Sequence, residues 1–321
     1  MRSKLTVLIP MYNEEENVVI TLQKVNDVLY SLNTDYEILV VNDGSKDRTL
    51  EKLKEQAQKN KKIRIVTYEK NKNIGSALRI GFERAKGDYV ITIDSDLSYD
   101  AKYIADIYKE LTTTNYDIIQ GSPYMKGGNA LGVPFLRLLI SKASNRFFSY
   151  VINANVHTVT GMLRGYRREV LDSLVLESTG PQLMMEILTK AVLLNFKIKE
   201  IPAVLKTRER GTSKFQNQLK KVFTEYFSLL YSEKPIVFFK GLGFSLLLVA
   251  FLYGLYLIYS YLSGMIKTSD PVVHPSFSLL VILGALILFF AIIINQFTQL
   301  KKDLLIVQKQ NKHIERYFKE K

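Results

Sequence analysis

Residues 89–96 read YVITIDSD and indicate the fold class. Their first five residues are mostly apolar and β-branched, which predicts a buried strand. Two carboxylates, Asp94 and Asp96, follow directly at the end of that strand. Ligands of parallel α/β sheets bind beyond the carboxyl ends of the strands. The two aspartates therefore predict a hard-oxygen site for a divalent cation and the diphosphate that it carries.

Strand-like and helix-like segments alternate around this stretch. The patterns predict strands at 5–9, 36–41, 63–68, 88–93 and 117–120, and helices at 14–32, 49–60, 76–86 and 101–112. Such alternation is typical of a Rossmann-like α/β fold, in which a mostly parallel sheet is flanked by helices. Asn42 and Asp43 also end a strand, so we expect them to converge with Asp94 and Asp96 in one crevice.

Two later stretches, 241–262 and 276–297, contain 22 residues each without a charge. As helices they would be about 33 Å long, enough to cross a hydrocarbon core of ~30 Å. Lysines and arginines crowd their outer flanks, whereas the link at 263–275 has only Lys267. This asymmetry predicts a transmembrane hairpin with both flanks in the cytoplasm. The alternative is a pair of buried core helices.

Two segments have the pattern of amphipathic helices. Residues 215–234 carry apolar side chains at helical spacing and predict an interfacial helix, or else a helix packed on the soluble domain. In 133–152 four polar residues form one stripe: Arg137, Ser141, Ser144 and Asn145. That stripe could hold a lipid phosphate at the bilayer surface, or could be an ordinary solvated face.

The composition restricts the function classes. The net charge of +13 suits nucleic acid, an anionic membrane or phosphorylated substrates. The basic residues crowd the membrane flanks, so anionic lipid is a simpler partner than nucleic acid. Absence of cysteine excludes thiolate chemistry, and three scattered histidines disfavour a zinc site. The first apolar run is too short for a signal peptide, which favours a cytoplasmic soluble part.

Several motifs in order carry a family resemblance. IPMYNEEENV, VVNDGSKDRT, NKNIGSALRIGFERAKGDYV and DSDLSYD resemble successive motifs of family 2 glycosyltransferases with a GT-A fold. Farther along, DIIQGSPYMKGG, the RxxxSKxxN run at 137–145, VTGMLRGYRREVL and EIPAVLKTRERGTSKF resemble the dolichol-phosphate mannose synthase-like branch. That branch makes polyprenyl-phosphate sugars, and many bacterial members carry C-terminal spans. The resemblance covers roughly residues 4–235.

The resemblance implies a membrane-anchored, inverting glycosyltransferase. Such an enzyme moves a hexose from a UDP- or GDP-linked donor to a polyprenyl phosphate, with Mg²⁺ or Mn²⁺ as cofactor, and is compatible with a homo-oligomer. The implied organisation is a GT-A catalytic domain at 1–214, an interfacial helix at 215–235, two transmembrane helices within 236–300 and a basic tail at 301–321. The catalytic domain and both termini would lie on the cytoplasmic side of the cell membrane.

The resemblance also implies roles for individual residues. The nucleotide would contact Pro10, Tyr12, Glu14, Asn42, Asp43, Gly75, Arg79 and Asp94. The metal site would consist of Asp94, Asp96 and Ser98. A loop with Arg208, Ser213 and Lys214 would close over the phosphates, Arg208 and Lys214 being catalytic. The acceptor phosphate would bind Arg137 and Ser141. The sugar pocket would include Thr160, Gly161 and Glu186, although Glu186 suits a structural salt bridge equally well.

One departure and several alternatives bear on this interpretation. Relatives usually have an arginine after Gly-Ser where this chain has Pro123, which puts the acceptor geometry in doubt. A catalytically impaired membrane scaffold, or a transferase with a different lipid or glycan acceptor, is therefore the alternative. A processive polysaccharide synthase is disfavoured because the chain has no tryptophan for a Gln-x-x-Arg-Trp motif. A dinucleotide oxidoreductase is disfavoured because no G-x-G-x-x-G motif follows a predicted strand.

Overall fold

The computed structural model describes residues 4–207, 235–264 and 273–319, which divide between two compact units. The first unit holds residues 4–207 and 305–319, and the second holds 235–264 and 273–304. The predicted interfacial helix, apart from Pro235, and the predicted catalytic residues Arg208 and Lys214 lie outside the described residues.

Up to residue 122 the first unit alternates strands and helices as predicted. Its elements are β1 (Leu5–Met11), α1 (Val18–Ser31), β2 (Tyr36–Asn42), α2 (Thr49–Lys59), β3 (Ile63–Thr67), α3 (Ile74–Arg84), β4 (Tyr89–Thr92), α4 (Tyr103–Thr113), β5 (Ile118–Ser122), β6 (Asn129–Leu131), α5 (Phe135–Ile152), β7 (Arg164–Arg167), α6 (Arg168–Ser173), α7 (Leu183–Leu193), β8 (Ile198–Pro202) and β9 (Val204–Lys206).

Seven of these strands form the central sheet, in the order β3-β2-β1-β4-β7-β5-β8. Every pairing is parallel except those of β7, which runs antiparallel to both β4 and β5. The inner strands are apolar on both faces, and Val7, Leu8, Val40 and Ile91 are fully buried. Helices therefore cover both faces of the sheet, which confirms the predicted fold class.

The register brings three strand ends to one edge. Met11 at the end of β1 pairs with Asn42 at the end of β2, and Leu8 pairs with Thr92 at the end of β4. The residues that follow these strands, including Asp43 and Asp94, emerge at the same edge. Helix α3 packs closely behind them, because a Cβ on Gly81 would lie 2.4 Å from Cδ1 of Leu8.

The second unit is a hairpin of two helices, α8 (Pro235–Leu262) and the part of α9 (Val273–Lys319) that ends at residue 304. Their apolar spans, Phe238–Leu262 and Pro275–Phe297, have mean hydropathies of 2.1 and 3.1 and are long enough to cross a membrane. Only 11% of the apolar window of each helix is buried, which argues against two core helices of a soluble domain.

Small residues set the contact between α8 and α9. A Cβ on Gly243 would lie 2.7 Å from Leu288, and a Cβ on Gly284 would lie 2.8 Å from Leu247. Each glycine also faces the other's backbone carbonyl, so the two helices approach closely at this point. Glycine at such crossings is common between helices that pack within a bilayer.

Candidate functional site

A cavity of about 490 Å³ opens at the carboxyl ends of β1, β2 and β4. Its lining combines carboxylates, amides and one exposed aromatic ring at the edge where the register places the strand ends. The lining residues are Pro10, Met11, Tyr12, Glu14, Asp43, Asn71, Asn73, Ile74, Ala77, Asp94, Ser95, Asp96, Met162 and Pro181. Six residues that the sequence predicted to bind the nucleotide or the metal therefore lie in one cavity: Pro10, Tyr12, Glu14, Asp43, Asp94 and Asp96.

The loop after β4 orients the predicted metal ligands. Ser98 donates two hydrogen bonds to Oδ1 of Asp96, from its backbone N–H at 2.9 Å and from its hydroxyl at 2.6 Å. Leu97 between them has φ +51°, a left-handed conformation that is uncommon for a residue other than glycine. Thr21 donates to the carbonyl of Ser95 at 2.6 Å and ties the loop to α1. The carboxylate of Asp96 is thus held in a defined direction.

The donor atoms of this loop suit a hard cation that is shared with a substrate. Among the described residues, no group of three histidine, cysteine, aspartate or glutamate side chains could hold a metal ion. Mg²⁺ commonly takes only one or two protein carboxylates, and substrate phosphates and water complete its octahedral coordination. Asp94 and Asp96, with the hydroxyl of Ser98 beside them, fit that arrangement rather than a closed structural metal site.

Asp43 forms part of the cavity wall and also anchors the loop after β3. Its Oδ1 accepts hydrogen bonds from Tyr68 Oη at 2.6 Å and from the backbone N–H of Lys72 at 2.8 Å. Its Oδ2 accepts from Nδ2 of Asn71 at 2.9 Å. A carboxylate offers about four acceptor positions, so these three bonds leave one on Oδ2 for a ligand. Burial, followed by the contact with Asp43, raises the pKa of Tyr68 and keeps it a donor.

Asn42 lies next to Asp43 but points away from the cavity. Its Nδ2 donates to Oγ1 of Thr67 at 2.9 Å, and the side chain is buried between β2 and β3. The alternation of side chains along a strand explains this difference between the two neighbours. The predicted contact of Asn42 with the nucleotide has no support from this geometry.

Two predicted nucleotide ligands in α3 instead support a neighbouring loop. A Cβ on Gly75 would lie 2.5 Å from backbone atoms of Thr179 and Gly180. Arg79 donates to the carbonyl of Glu177 at 2.7 Å. These contacts hold the segment before Pro181, which lines the cavity. The side chains that α3 contributes to the cavity are Ile74 and Ala77, which no pattern in the sequence predicted as site residues.

The predicted polar stripe on α5 faces inward over half its length. Oδ1 of Asn145 accepts hydrogen bonds from the backbone N–H groups of Val159 and Thr160, at 2.6 and 3.2 Å. Ser144 is also buried and donates to the carbonyl of Ile140. The expectation of an ordinary solvated face is therefore wrong for Ser144 and Asn145, because the stripe packs on the loop before β7.

The two predicted acceptor-phosphate ligands lie on the outer part of the same stripe. The hydroxyl of Ser141 shares a 2.6 Å hydrogen bond with Tyr124, and Arg137 is half-buried one turn earlier. Tyr124 follows Pro123 in the turn after β5. Tyr99 is a buried side chain that interacts electrostatically with Asp94 and Tyr124. Burial, followed by the charges at Asp94 and Tyr124, raises the pKa of Tyr99.

None of the predicted sugar-pocket residues lines the cavity, although Met162 does. Thr160 lies 3.3 Å from Oδ1 of Asn145, and a Cβ on Gly161 would lie 2.9 Å from Thr158. Glu186 accepts from the backbone N–H groups of Glu177 and Ser178 at 2.9 and 2.8 Å, and from Nζ of Lys190 at 2.6 Å.

These contacts favour the structural alternative for Glu186. Burial opposes its ionisation, but the hydrogen bonds from Lys190 and Ser178 outweigh burial and lower its pKa. Glu186 thus holds the loop that ends at Pro181, and Pro181 lines the cavity.

The sequence profile and the related sequences point to the same protein family. Residues 6–175 match the sequence profile described as "Glycosyl transferase family 2". A dolichol-phosphate mannosyltransferase of Pyrococcus furiosus is 33% identical over 231 residues, which are 71% of this chain and 63% of the relative. A polyprenol monophosphomannose synthase of Mycolicibacterium smegmatis is 28% identical over 215 residues, which are 65% of this chain and 79% of the relative. The match thus spans less than two thirds of the Pyrococcus protein.

Solved structures share the fold of the first unit. A glucosyl-3-phosphoglycerate synthase of Mycobacterium tuberculosis, solved with Mn²⁺, UDP and glucosyl-3-phosphoglycerate, superposes with a TM-score of 0.54 at 19% identity. The superposition covers 72% of this chain and 80% of that structure. At this level of identity the likeness concerns the GT-A fold alone.

Proposed function

Because this chain belongs to glycosyl transferase family 2, we propose that it transfers a hexose from a nucleotide sugar to a polyprenyl phosphate at a membrane. One observation carries the proposal: Asp94, Asp96 and Asp43 line a single cavity at the carboxyl ends of three parallel strands. The names of the Pyrococcus and Mycolicibacterium relatives support the class of acceptor. The two apolar helices support a location in the membrane, where such an acceptor resides.

The cavity offers separate positions for the parts of a nucleotide sugar. The nucleoside would lie between Tyr12, whose ring is 42% exposed, and the open acceptor position on Oδ2 of Asp43. The diphosphate would extend towards Asp94 and Asp96. A Mg²⁺ or Mn²⁺ ion bound there would neutralise charge on the departing nucleoside diphosphate.

The transfer itself needs no basic residue to activate the acceptor. A phosphate monoester has a second pKa near ~6 and is therefore largely ionised at neutral pH. One of its oxygens forms a bond to the anomeric carbon while the bond from that carbon to the diphosphate oxygen breaks. The nucleoside diphosphate leaves with the electron pair, so a single displacement inverts the anomeric configuration. The protein's contribution is alignment of the two substrates.

The acceptor phosphate would bind along α5, at Arg137 and Ser141. An arginine suits a phosphate because its planar fork donates two parallel hydrogen bonds. Arg208 and Lys214 would add positive charge, and Ser213 a hydroxyl, from a loop that closes over the phosphates. The catalytic unit would face the cytoplasm, since the basic residues lie on the outer flanks of the hairpin.

Pro123 supports a second candidate, a transferase with a different acceptor. β5 ends at Ser122, whose hydroxyl shares a 2.7 Å hydrogen bond with Thr158, and a tight turn follows. A Cβ on Gly128 would lie 2.3 Å from the carbonyl oxygen of Ser122, so this turn is closely packed. A proline there supplies no cation for an acceptor phosphate.

A turnover panel tests both candidates. Purified full-length protein is incubated with Mg²⁺ or Mn²⁺, UDP- and GDP-hexoses, and either a short polyprenyl phosphate or the matched polyprenol without phosphate. We expect lipid-linked sugar from one donor and only with the phosphorylated acceptor. Nucleotide release without a lipid product would reject the polyprenyl phosphate and favour another acceptor. No turnover with any donor, in folded protein, would favour the scaffold alternative.

A further inference from the structure

A second cavity of about 540 Å³ lies outside the proposed donor site, against the C-terminal half of α5. Its wall includes Lys142, Arg146 and Tyr150 on the helix, the loop at 153–157 after it, and Tyr124. No aspartate or glutamate is among the residues that line it. Neither the proposed donor chemistry nor the predicted pair Arg137 and Ser141 uses this cavity.

The two cations of this cavity are available to a ligand. Lys142 and Arg146 stand one helical turn apart and both side chains are exposed. Neither forms an ion pair within the part of the chain that the structure describes. The nearby carboxylate of Glu200 is buried and accepts hydrogen bonds from the backbone and ring of His157, both at 2.7 Å. The lining of the cavity therefore carries two exposed cations and no carboxylate.

The same exposed stripe of α5 is apolar at its other end. Phe135, Leu136 and Leu139 are 78%, 60% and 53% exposed, one to two turns before Lys142. The inward face of the helix carries the polar side chains instead, among them Asn145. A helix with apolar and basic residues together on its outer face has the character of a membrane-surface element.

We propose that this cavity binds the phosphate of an anionic membrane lipid, held by Lys142 and Arg146, while the acyl chains lie along Phe135 and Leu139. The charge of the cavity matches the headgroup, and the apolar half of the stripe matches the tails. The inference rests on the proposed membrane location but adds a lipid site distinct from the acceptor. Tyr124 connects the two, because it lines the cavity and shares a hydrogen bond with Ser141.

The absence of tryptophan from the chain allows a direct test. Tyr150→Trp places a single reporter at the cavity of the full-length protein, and Phe135→Trp provides a second reporter on the apolar half. Each protein is reconstituted in phosphatidylcholine nanodiscs that contain brominated phosphatidylglycerol or, at the same fraction, brominated phosphatidylcholine. Bromine quenches the reporter where lipid approaches it. We expect stronger quenching by the anionic lipid in the Tyr150→Trp protein.

Charge removal gives the decisive comparison. Lys142→Gln with Arg146→Gln should weaken the preference for phosphatidylglycerol by roughly twenty-fivefold, since each of the two basic residues near a lipid surface contributes roughly fivefold. Lys54→Gln with Lys61→Gln removes the same charge from exposed positions elsewhere and should leave the preference unchanged. Equal quenching by both lipids, or an unchanged preference after loss of Lys142 and Arg146, would overturn the proposal.

Two further measurements identify the molecule that binds in the cavity. Displacement of the lipid by inorganic phosphate would show a site for soluble anions, and displacement by polyprenyl phosphate would assign the cavity to the acceptor; either result overturns the proposal. Asp96→Asn should keep the lipid preference, because the aspartate is outside this cavity. In the wild-type protein, a lipid preference without any turnover would count against the proposed function alone, and turnover without the lipid preference would count against the lipid site alone.

Discussion

Ser98 donates its hydroxyl and its backbone N–H to the same oxygen of Asp96, at 2.6 and 2.9 Å. Two donors on one oxygen orient the carboxylate, and the left-handed Leu97 between the two residues makes this geometry possible. Backbone strain of this kind is often retained at functional sites. Ser98 is therefore best understood as a residue that positions Asp96, whereas the sequence predicted a metal ligand at this position.

Asp43→Asn should weaken binding of the donor nucleotide by about tenfold to a hundredfold. The substitution replaces one acceptor oxygen by an NH₂ donor. The amide therefore cannot accept all three hydrogen bonds from Tyr68, Lys72 and Asn71 and also keep an open acceptor position for the nucleotide. Calorimetric titration with the nucleoside diphosphate measures the effect. Tyr68→Phe is the matched variant: it removes one bond to Asp43 but keeps the carboxylate, and a smaller loss is expected. A greater loss for Tyr68→Phe would contradict this role of Asp43.

Gly75→Ala should lower both stability and donor affinity. Its Cβ would lie 2.5 Å from the backbone of Thr179 and Gly180, so the loop that ends at Pro181 must move out of the cavity wall. Overpacking of this kind typically costs about 1–3 kcal/mol. Thermal unfolding and donor titration measure the two effects. Gly241→Ala is the control, because a Cβ there meets no atom within 4 Å; equal behaviour of both variants would refute the packing argument.

Arg137→Ala should raise the apparent KM for the lipid acceptor much more than the KM for the donor. Arg137 lies on α5 one turn before Ser141 and is not among the residues that line the donor cavity. Loss of one charge-assisted contact to a phosphate is expected to cost roughly tenfold or more in acceptor affinity. Steady-state kinetics with each substrate varied in turn separates the two constants. Arg84→Ala, an exposed arginine at the end of α3, serves as control, and equal increases in both KM values would remove Arg137 from the acceptor site.

Glu186→Gln should affect stability and its pH dependence rather than sugar selectivity. The pKa of Glu186 is lowered in the folded protein from an ordinary value of 4.5. Its ionised form therefore stabilises the fold above about pH 4.5, and this contribution is lost as the pH falls through the lower, folded-state pKa. At neutral pH the variant should be less stable by about 1–3 kcal/mol.

Thermal unfolding at several pH values measures this loss, and the difference in Tm between the two proteins should shrink in acid. A change in the preferred donor sugar, with Tm unchanged, would instead assign Glu186 to the sugar pocket.

Local patterns predicted most of the sheet because each strand and helix has its own periodicity. The strand predicted at 36–41 is β2, and the helix predicted at 49–60 is α2, each to within one residue at either end. The helix predicted to start at residue 14 begins instead at Val18. Glu14 lies in the turn before this helix, where its backbone N–H donates a hydrogen bond to Thr49 and its carboxylate accepts one from Asn17.

The strand β7 could not be predicted from its sequence. It reads RGYR, and nothing local indicates that Arg164 is fully buried. The guanidinium of Arg164 donates to the carbonyls of Met184 and Val159, at 2.8 and 2.9 Å, which are partners that only the folded chain provides.

Site residues that directly follow a strand were predictable from the sequence, and those on other elements were less so. Asp43, Asp94 and Asp96 line the cavity because parallel strands deliver their following residues to one edge. Arg79 and Glu186 have equally suggestive side chains, but their partners lie on the loop before Pro181. Such tertiary contacts determine whether a polar side chain can bind a ligand or instead supports a neighbouring loop. They leave no local pattern in the sequence.

The most direct test of the account is the formation of lipid-linked sugar by the wild-type protein and by Asp96→Asn, with a divalent metal removed by chelation and then restored. We predict that wild-type turnover falls to background without metal and returns with it. Asp96→Asn should stay at least about a hundredfold below wild type at every metal concentration while remaining folded. Asp100→Asn, an exposed neighbour outside the cavity lining, should behave as wild type. Full turnover by Asp96→Asn, or turnover that is unaffected by chelation, would contradict the account.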